Sequence, residues 1–319
     1  MSKQTDIDIE LVVATREDIA EGVVGLHLEY PDGTPLPNWT PGSHIDVVLN
    51  EELVRQYSLV ELDEDASRWH IGVLREVEGR GGSREIHDAI APGMKIRARG
   101  PRNHFQLQPA DGYIFIAGGI GITPITSMIA EAERRATPWK LTYGGRTRAS
   151  MAFSEDLVER YGERVSLVPQ DELGLIDLDA ILGEPREGIL IYCCGPGPLL
   201  DAVQRATAHW PEDALHIERF VPLHQDGARP DDSFEVELSE SGIVVDVPAD
   251  KSILRVLDEA GIDVLSSCGE GTCGTCETMI VAGEADHRDS VLTPKEQADN
   301  RSMMICVSRA ACPRLVLEL

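Results

Sequence analysis

Three cysteines crowd one glycine-rich loop, SSCGEGTCGTCE, at Cys268, Cys273 and Cys276, and a fourth stands far downstream at Cys306. C-x4-C-x2-C followed by one distant cysteine is the plant-type spacing with which four thiolates hold the two irons of a [2Fe–2S] cluster. Gly269, Gly271 and Gly274 leave the backbone free to wrap closely and to aim amide N–H groups at the sulfurs, which tunes the potential of such a site. Zinc is the rival metal, but zinc sites usually group their ligands as two close pairs rather than three plus one. The expected metal ligands are therefore Cys268, Cys273, Cys276 and Cys306. Cys193 and Cys312 fall outside the pattern and read as small apolar packing.

A chain of 319 residues has room for two or three cores. The start, MSKQTDIDIELVV, lacks the basic and apolar stretches of an export signal, and no apolar run approaches the roughly 20 residues of a membrane helix. A cytoplasmic protein with no membrane partner is expected. Seven cysteines in that reducing compartment point to ligands, reactive thiols or core filler rather than disulfides. The formal net charge of −26 would repel phosphate backbones, so nucleic acid is not an expected partner. Residues 226–319 carry 19 acids against 8 bases, a density that serves solubility or steering toward a basic protein surface.

The hydrophobic rhythm changes along the chain. Residues 1–108 show short alternating runs such as GVVGLHLEY and SHIDVVL, broken by glycine and proline, as in a small antiparallel barrel or sandwich. Residues 109–222 alternate strand-like and helix-like stretches, GYIFIAGGIG then PITSMIAEAERR, GILIYCCGPG then PLLDAVQRATAHW, which predicts a mostly parallel α/β sheet. A polar stretch with proline and glycine, 223–232, reads as a linker. Residues 233–319 hold a hairpin pattern, one helix pattern and the cysteine loop.

Two glycine turns stand out in the second segment. FIAGGIGITPITSM sets Gly118, Gly119 and Gly121 between a buried strand and a helix that can begin at Pro124, where bare backbone and a helix N-terminus suit a pyrophosphate. YCCGPGPL supplies a second such turn. In the first segment, RQYSL places Arg55 and Tyr57 on one strand face and Gln56 and Ser58 on the other, and EGRGGSREIHD offers Gly81, Gly82 and Ser83 as an anion cradle ahead of a helix.

Residues 233–319 resemble the plant-type ferredoxins, a β-grasp fold. The paired glycine turns resemble the nicotinamide domain of the ferredoxin–NADP reductase superfamily. Taken together, R-x-Y-S, G-R-G-G-S and the C-terminal cysteine loop make the whole chain similar to the phthalate dioxygenase reductase and vanillate demethylase reductase family. The resemblance implies a multidomain chain: an antiparallel β-barrel flavin domain, an α/β parallel-sheet nicotinamide domain, and an α+β β-grasp [2Fe–2S] domain. It implies FMN, although spacing alone leaves FAD open, with Arg55 on the phosphate, Tyr57 against the ring and Ser58 near N5. Gln56, Val73, Leu74, Arg75, Gly81, Gly82 and Ser83 complete the flavin set. Gly118, Gly119, Gly121, Thr123, Pro124, Cys194, Gly195 and Pro196 would line the dinucleotide, and Phe220 of the IERF stretch would either stack on the flavin or pack in the core. Ser58, Cys194 and Phe220 are the residues expected at the chemistry.

The three parts make sense together. A nicotinamide releases two electrons at once while a [2Fe–2S] cluster accepts one, and a flavin can store the pair and release it singly. NADH is the expected donor by resemblance, against the chance that Arg146 or Arg148 meets a 2′-phosphate of NADPH. The implied acceptor is a Rieske-type oxygenase. Plant-type clusters near about −400 mV and Rieske centres at about −150 mV differ by roughly 250 mV, which favours forward transfer by about four powers of ten. A cytochrome P450 is the alternative acceptor. A redox sensor is the alternative of another class, and the chain has no spare segment for its output.

Overall fold

A computed structural model of the chain describes residues 7–50, 53–62, 68–77, 79, 81–222 and 232–319. The linker expected at 223–232 and Arg80 of G-R-G-G-S lie outside the described residues, Asp232 excepted. The chain packs as two compact units, Met1–Glu218 and Arg219–Leu319.

Strands β1 (Asp8–Ala20), β2 (Val23–Glu29), β3 (His44–Val48), β4 (Val54–Val60), β5 (Trp69–Leu74) and β6 (Lys95–Arg102) close an antiparallel barrel in the order β1-β2-β5-β4-β3-β6. Alternation drives it. Leu11 and Val13 of β1, Leu26 and Leu28 of β2 and Ile71 and Val73 of β5 fill one barrel core while their neighbours face outward. Helix α1 (Gly82–Ala89) bridges β5 and β6 and buries Ile86 in that core.

The chain continues through β7 (Gly112–Gly118), α2 (Ile122–Arg134), β8 (Trp139–Gly145), α3 (Ser154–Tyr161), β9 (Val165–Pro169), α4 (Gln170–Leu173), α5 (Leu178–Leu182), β10 (Ile189–Cys194), α6 (Gly197–Ala206) and β11 (Leu215–Glu218). These strands form a parallel sheet in the order β11-β10-β7-β8-β9, and all of β7 is buried, as a strand covered on both faces must be. The order reverses between β7 and β10, so a crevice opens outside their C-terminal ends. Val23 and Val60 of the barrel share a core with Ile122, Ile125 and Met128 of α2, which makes the first two segments one packed body.

The second unit contains β12 (Phe234–Leu238), β13 (Val244–Val247), α7 (Ile253–Glu259), β14 (Glu277–Ala282), β15 (Ala285–Asp286), α8 (Pro294–Asp299), β16 (Ser302–Met304), β17 (Arg309–Ala310) and β18 (Arg314–Leu317). Its main sheet runs β13-β12-β18-β14-β16, with β12 and β18 parallel, and β15 and β17 pair separately, giving the β-grasp arrangement. Ser252 caps α7 by accepting from the Arg255 amide, and Thr293 with Glu296 makes a capping box on α8. Val236, Leu257, Met303 and Leu315 fill the core, and the cysteine loop spans the gap from α7 to β14.

Candidate functional site

The cysteine loop owes its shape to three glycines. Gly269, Gly271 and Gly274 adopt φ of 68°, 70° and 73°, and a Cβ on Gly271 would lie 2.5 Å from Val307 Cγ2. The distant thiol arrives through strand pairing: Glu277 pairs with Met304 across β14 and β16, which sets Cys276 and Cys306 at adjoining ends of one ladder. All four thiols are free and buried. Cys268 contacts both Cys273 and Cys306, and Cys276 contacts Cys306. Hydrogen bonds from Cys273 and Cys306 hold the Cys268 thiol far below its ordinary value, while the same contacts push Cys273 and Cys306 up. The Glu270 amide donates to Cys268 Sγ at 3.3 Å, and Thr275 Oγ1 lies 3.1 Å from Cys273 Sγ. Four convergent sulfurs suit a thiolate-held metal centre, because thiolates this close need a cation among them. Cys193 packs in an apolar core, as expected.

The dinucleotide turns meet at the strand-order reversal. A Cβ on Gly121 would lie 2.4 Å from the carbonyl carbon and oxygen of Cys194, and one on Gly118 would lie 2.7 Å from Pro196 Cδ. A Cβ on Gly195 would in turn lie 3.0 Å from the Gly118 backbone. Only bare backbone permits this approach. The Tyr143 hydroxyl donates to the Gly119 carbonyl at 3.1 Å and steadies the turn. Helix α2 starts at Ile122, two residues before the expected Pro124, after a 3-10 turn over Gly119–Gly121. Pro124 is accepted in the first turn, where its missing N–H has no helical acceptor. Thr123 is buried and its hydroxyl donates to the Ile120 carbonyl at 2.9 Å. Arg146 is exposed after β8, and Arg148 lies 3.5 Å from Glu172.

Arg55 stands against the N-terminus of α1. A Cβ on Gly82 would lie 2.6 Å from Arg55 Cγ and 3.0 Å from its Nε, so the glycine makes room for the guanidinium arm, and Arg55 Nη1 donates to the Val54 carbonyl at 2.7 Å. Gly81 caps the helix at φ 93°, leaving first-turn amides directed outward beside a cation, a cradle suited to a phosphate. Ser83 Oγ accepts from the Glu76 amide at 3.0 Å, which ties the cradle to the end of β5. Tyr57 packs on the barrel core, where burial pushes its phenol up, and Ser58 is buried on the opposite strand face. Gln56 donates to Asp46 at 2.8 Å inside a buried pair with Arg102.

Arg75 and Val73 of the expected flavin set likewise have partners within the chain. Arg75 bonds Asp88 on α1 at 2.6 and 3.2 Å, and the Val73 side chain sits in the barrel core while its carbonyl contacts His87 Nε2 at 2.9 Å. Leu74 packs against the core shared with the parallel sheet. Phe220 belongs to the second unit and is 41% exposed, so it is not core packing.

Sequence reasoning assigned no role to Glu218. The β10–β11 register sets it beside Cys194, whose thiol lies 3.9 Å from its carboxylate. Burial pushes the Glu218 carboxyl up to about 8, and burial with the neighbouring carboxylate pushes the Cys194 thiol well above its ordinary value. The signal was the matched ends of two strands. Reading it required knowing that those strands pair.

Residues 236–311 match the 2Fe-2S iron-sulfur cluster binding domain, and 115–205 match the oxidoreductase NAD-binding domain. The reductase subunit of phthalate 4,5-dioxygenase from Pseudomonas putida is 38% identical over 97% of this chain and 96% of its own length. The solved structure of phthalate dioxygenase reductase, a modular protein for electron transfer from pyridine nucleotides to [2Fe–2S], superposes with a TM-score of 0.72 at 36% identity over 98% of both chains. An intact type IV self-sufficient cytochrome P450 monooxygenase superposes with a TM-score of 0.91 at 44% identity; the match covers 98% of this chain but spans only 41% of that one. The chain belongs to the phthalate dioxygenase reductase family. It is an oxidoreductase, the reductase component of an oxygenase system. Among the described residues no helix is long and apolar enough to cross a membrane.

Proposed function

We propose that the chain takes reducing equivalents in pairs from NADH at the β7–β10 crevice, holds FMN on β4 and α1, and delivers electrons one at a time from the four-cysteine site to a Rieske-type oxygenase. When bound, FMN supplies the two-to-one electron conversion and the [2Fe–2S] cluster the single-electron exit. The segments 1–108, 109–222 and 233–319, with 223–232 between the last two, would carry these tasks in turn. Arg55 and the first-turn amides of α1 bind the flavin phosphate. Tyr57 backs the ring, and Ser58 offers a hydroxyl at its reactive edge. The turns Gly118–Gly121 and Cys194–Pro196 receive the dinucleotide backbone, and Thr123 and Pro124 flank the nicotinamide. Cys194 and Glu218, both protonated near neutral pH, present an uncharged wall that tolerates a nicotinamide changing charge.

One contact carries this reading. The nicotinamide turn abuts the barrel: a Cβ on Gly72 in β5 would lie 3.1 Å from Thr123 Cγ2, and β5 pairs with β4, which bears R-Q-Y-S. The proposed donor and flavin sites fall within one compact unit. Glu172 beside Arg148 supports NADH over NADPH, since it offsets the charge a 2′-phosphate would need. The absence of a disulfide among the described cysteines supports a cytoplasmic setting. The test is an absorbance spectrum of the purified protein, mass measurement of the released flavin, and NADH-driven reduction of candidate oxygenases. A preparation without flavin or iron, or one that prefers NADPH, refutes the corresponding assignment. The 44% identity with the self-sufficient P450 supports a second reading in which the acceptor is a cytochrome P450. Faster reduction of a P450 than of any Rieske protein would select it.

A further inference from the structure

Nothing above uses a patch on the outer face of the barrel, where three metal-binding side chains from three strands converge. Thr15 of β1 pairs with His27 of β2, and His27 pairs with His70 of β5. The next row on the same face is Glu17, Gly25 and Gly72. A carboxylate oxygen of Glu17 and one ring nitrogen each of His27 and His70 all lie within 4.8 Å of one another. Gly25 beside Glu17 and Gly72 beyond it carry no side chain, and this opens the patch. A Cβ on Gly25 would stand 3.0 Å from His70 Nε2 and 3.5 Å from Glu17 Cγ. Thr15 Oγ1 lies 2.8 Å from His27 Nδ1. His70 is buried, with its ring edge-on to Phe153 at 5.4 Å.

We propose that Glu17, His27 and His70 form a binding site for a divalent transition-metal ion of the zinc class. Two imidazole nitrogens and one carboxylate oxygen, with a water in the fourth position, are a set such ions accept, whereas thiolate-seeking Cu(I) and the all-oxygen ions Mg2+ and Ca2+ do not fit it. The two rings are stacked, with centroids 4.1 Å apart and 24° between planes. A turn about the His27 Cβ–Cγ bond, a torsion with broad wells, directs its lone pair to the ion. The bound ion would clamp β1, β2 and β5 together next to Phe153. This assignment stands independently of the proposed acceptor.

The test uses the flavin- and cluster-loaded protein, titrated with zinc chloride by calorimetry and compared with His27→Ala and Glu17→Gln. Neither of those side chains belongs to the core, so both variants should fold, which a melting curve checks. The expected result is one equivalent of zinc whose affinity falls at least about tenfold in each variant. It should be unchanged in His209→Ala, a histidine exposed elsewhere. Zinc-edge X-ray absorption should show nitrogen and oxygen neighbours at about 2.0–2.2 Å. No binding, equal affinity in the wild type and both variants, or sulfur neighbours at about 2.3 Å that place the zinc on cysteine, would overturn the proposal.

Discussion

Replacing Gly121 with alanine tests the dinucleotide crevice at its tightest point. The added Cβ would meet the Cys194 carbonyl carbon and oxygen at 2.4 Å and the Gly195 nitrogen at 2.6 Å, all of them backbone atoms that cannot swing away. Restoring ordinary contact needs the two turns to part by about 1 Å, an overpacking strain of about 1–3 kcal/mol that the fold should survive. Catalysis is less forgiving, since a displacement of about 1 Å in a reacting pair costs about a hundredfold in rate. In anaerobic stopped-flow, Gly121→Ala should bleach its flavin with NADH about a hundred times more slowly than the wild type. Flavin content, cluster absorbance and reduction by dithionite should be unchanged. A wild-type rate would refute the assignment of this crevice to the nicotinamide, and loss of the flavin bands would show that the strain spreads into the barrel.

Three further outcomes are expected. Arg55→Ala removes a charged partner of the flavin phosphate, worth about 1.5–3 kcal/mol or roughly 10- to 150-fold in affinity, and ultrafiltration should find the flavin released while the cluster bands persist; undiminished retention would contradict the phosphate role. Cys306→Ser should abolish the cluster spectrum yet leave flavin reduction by NADH at its normal rate, and a slowed first step would contradict the separation of the two sites. Glu218 holds its proton in the folded chain up to about 8 but releases it near 4.5 when unfolded. Its contribution to stability is therefore intact below 4.5 and lost as pH rises through about 8. Glu218→Gln keeps the shape without the titration, so the melting temperature of the wild type should fall relative to the variant across that window, and a constant difference would contradict the buried carboxyl.

The convergence of the four thiols was legible in the sequence because it is mostly local: three cysteines and three turn glycines share one loop, and only Cys306 needed the sheet to bring it in. Strand alternation disclosed the barrel, and the β-α rhythm disclosed the parallel sheet. That the two share a core through Val23, Val60 and Ile122 was invisible, because it depends on which outer faces meet. Side-chain partners across strands were harder still. Arg75 meets Asp88 on the following helix, a pairing that periodicity does not disclose. Glu218 beside Cys194 and the Glu17–His27–His70 patch depend on register, which periodicity does not give. Two-residue strands such as β15 and β17 are too short to leave any period.

Mixing the oxidised protein anaerobically with one equivalent of NADH, and following flavin and cluster absorbance with electron paramagnetic resonance, tests the electron path most directly. Flavin bleaching should come first, followed by a paramagnetic reduced cluster holding one electron per chain. A cluster that reduces equally fast after the flavin has been removed, or one that stays oxidised while the flavin keeps both electrons, would contradict the two-to-one conversion.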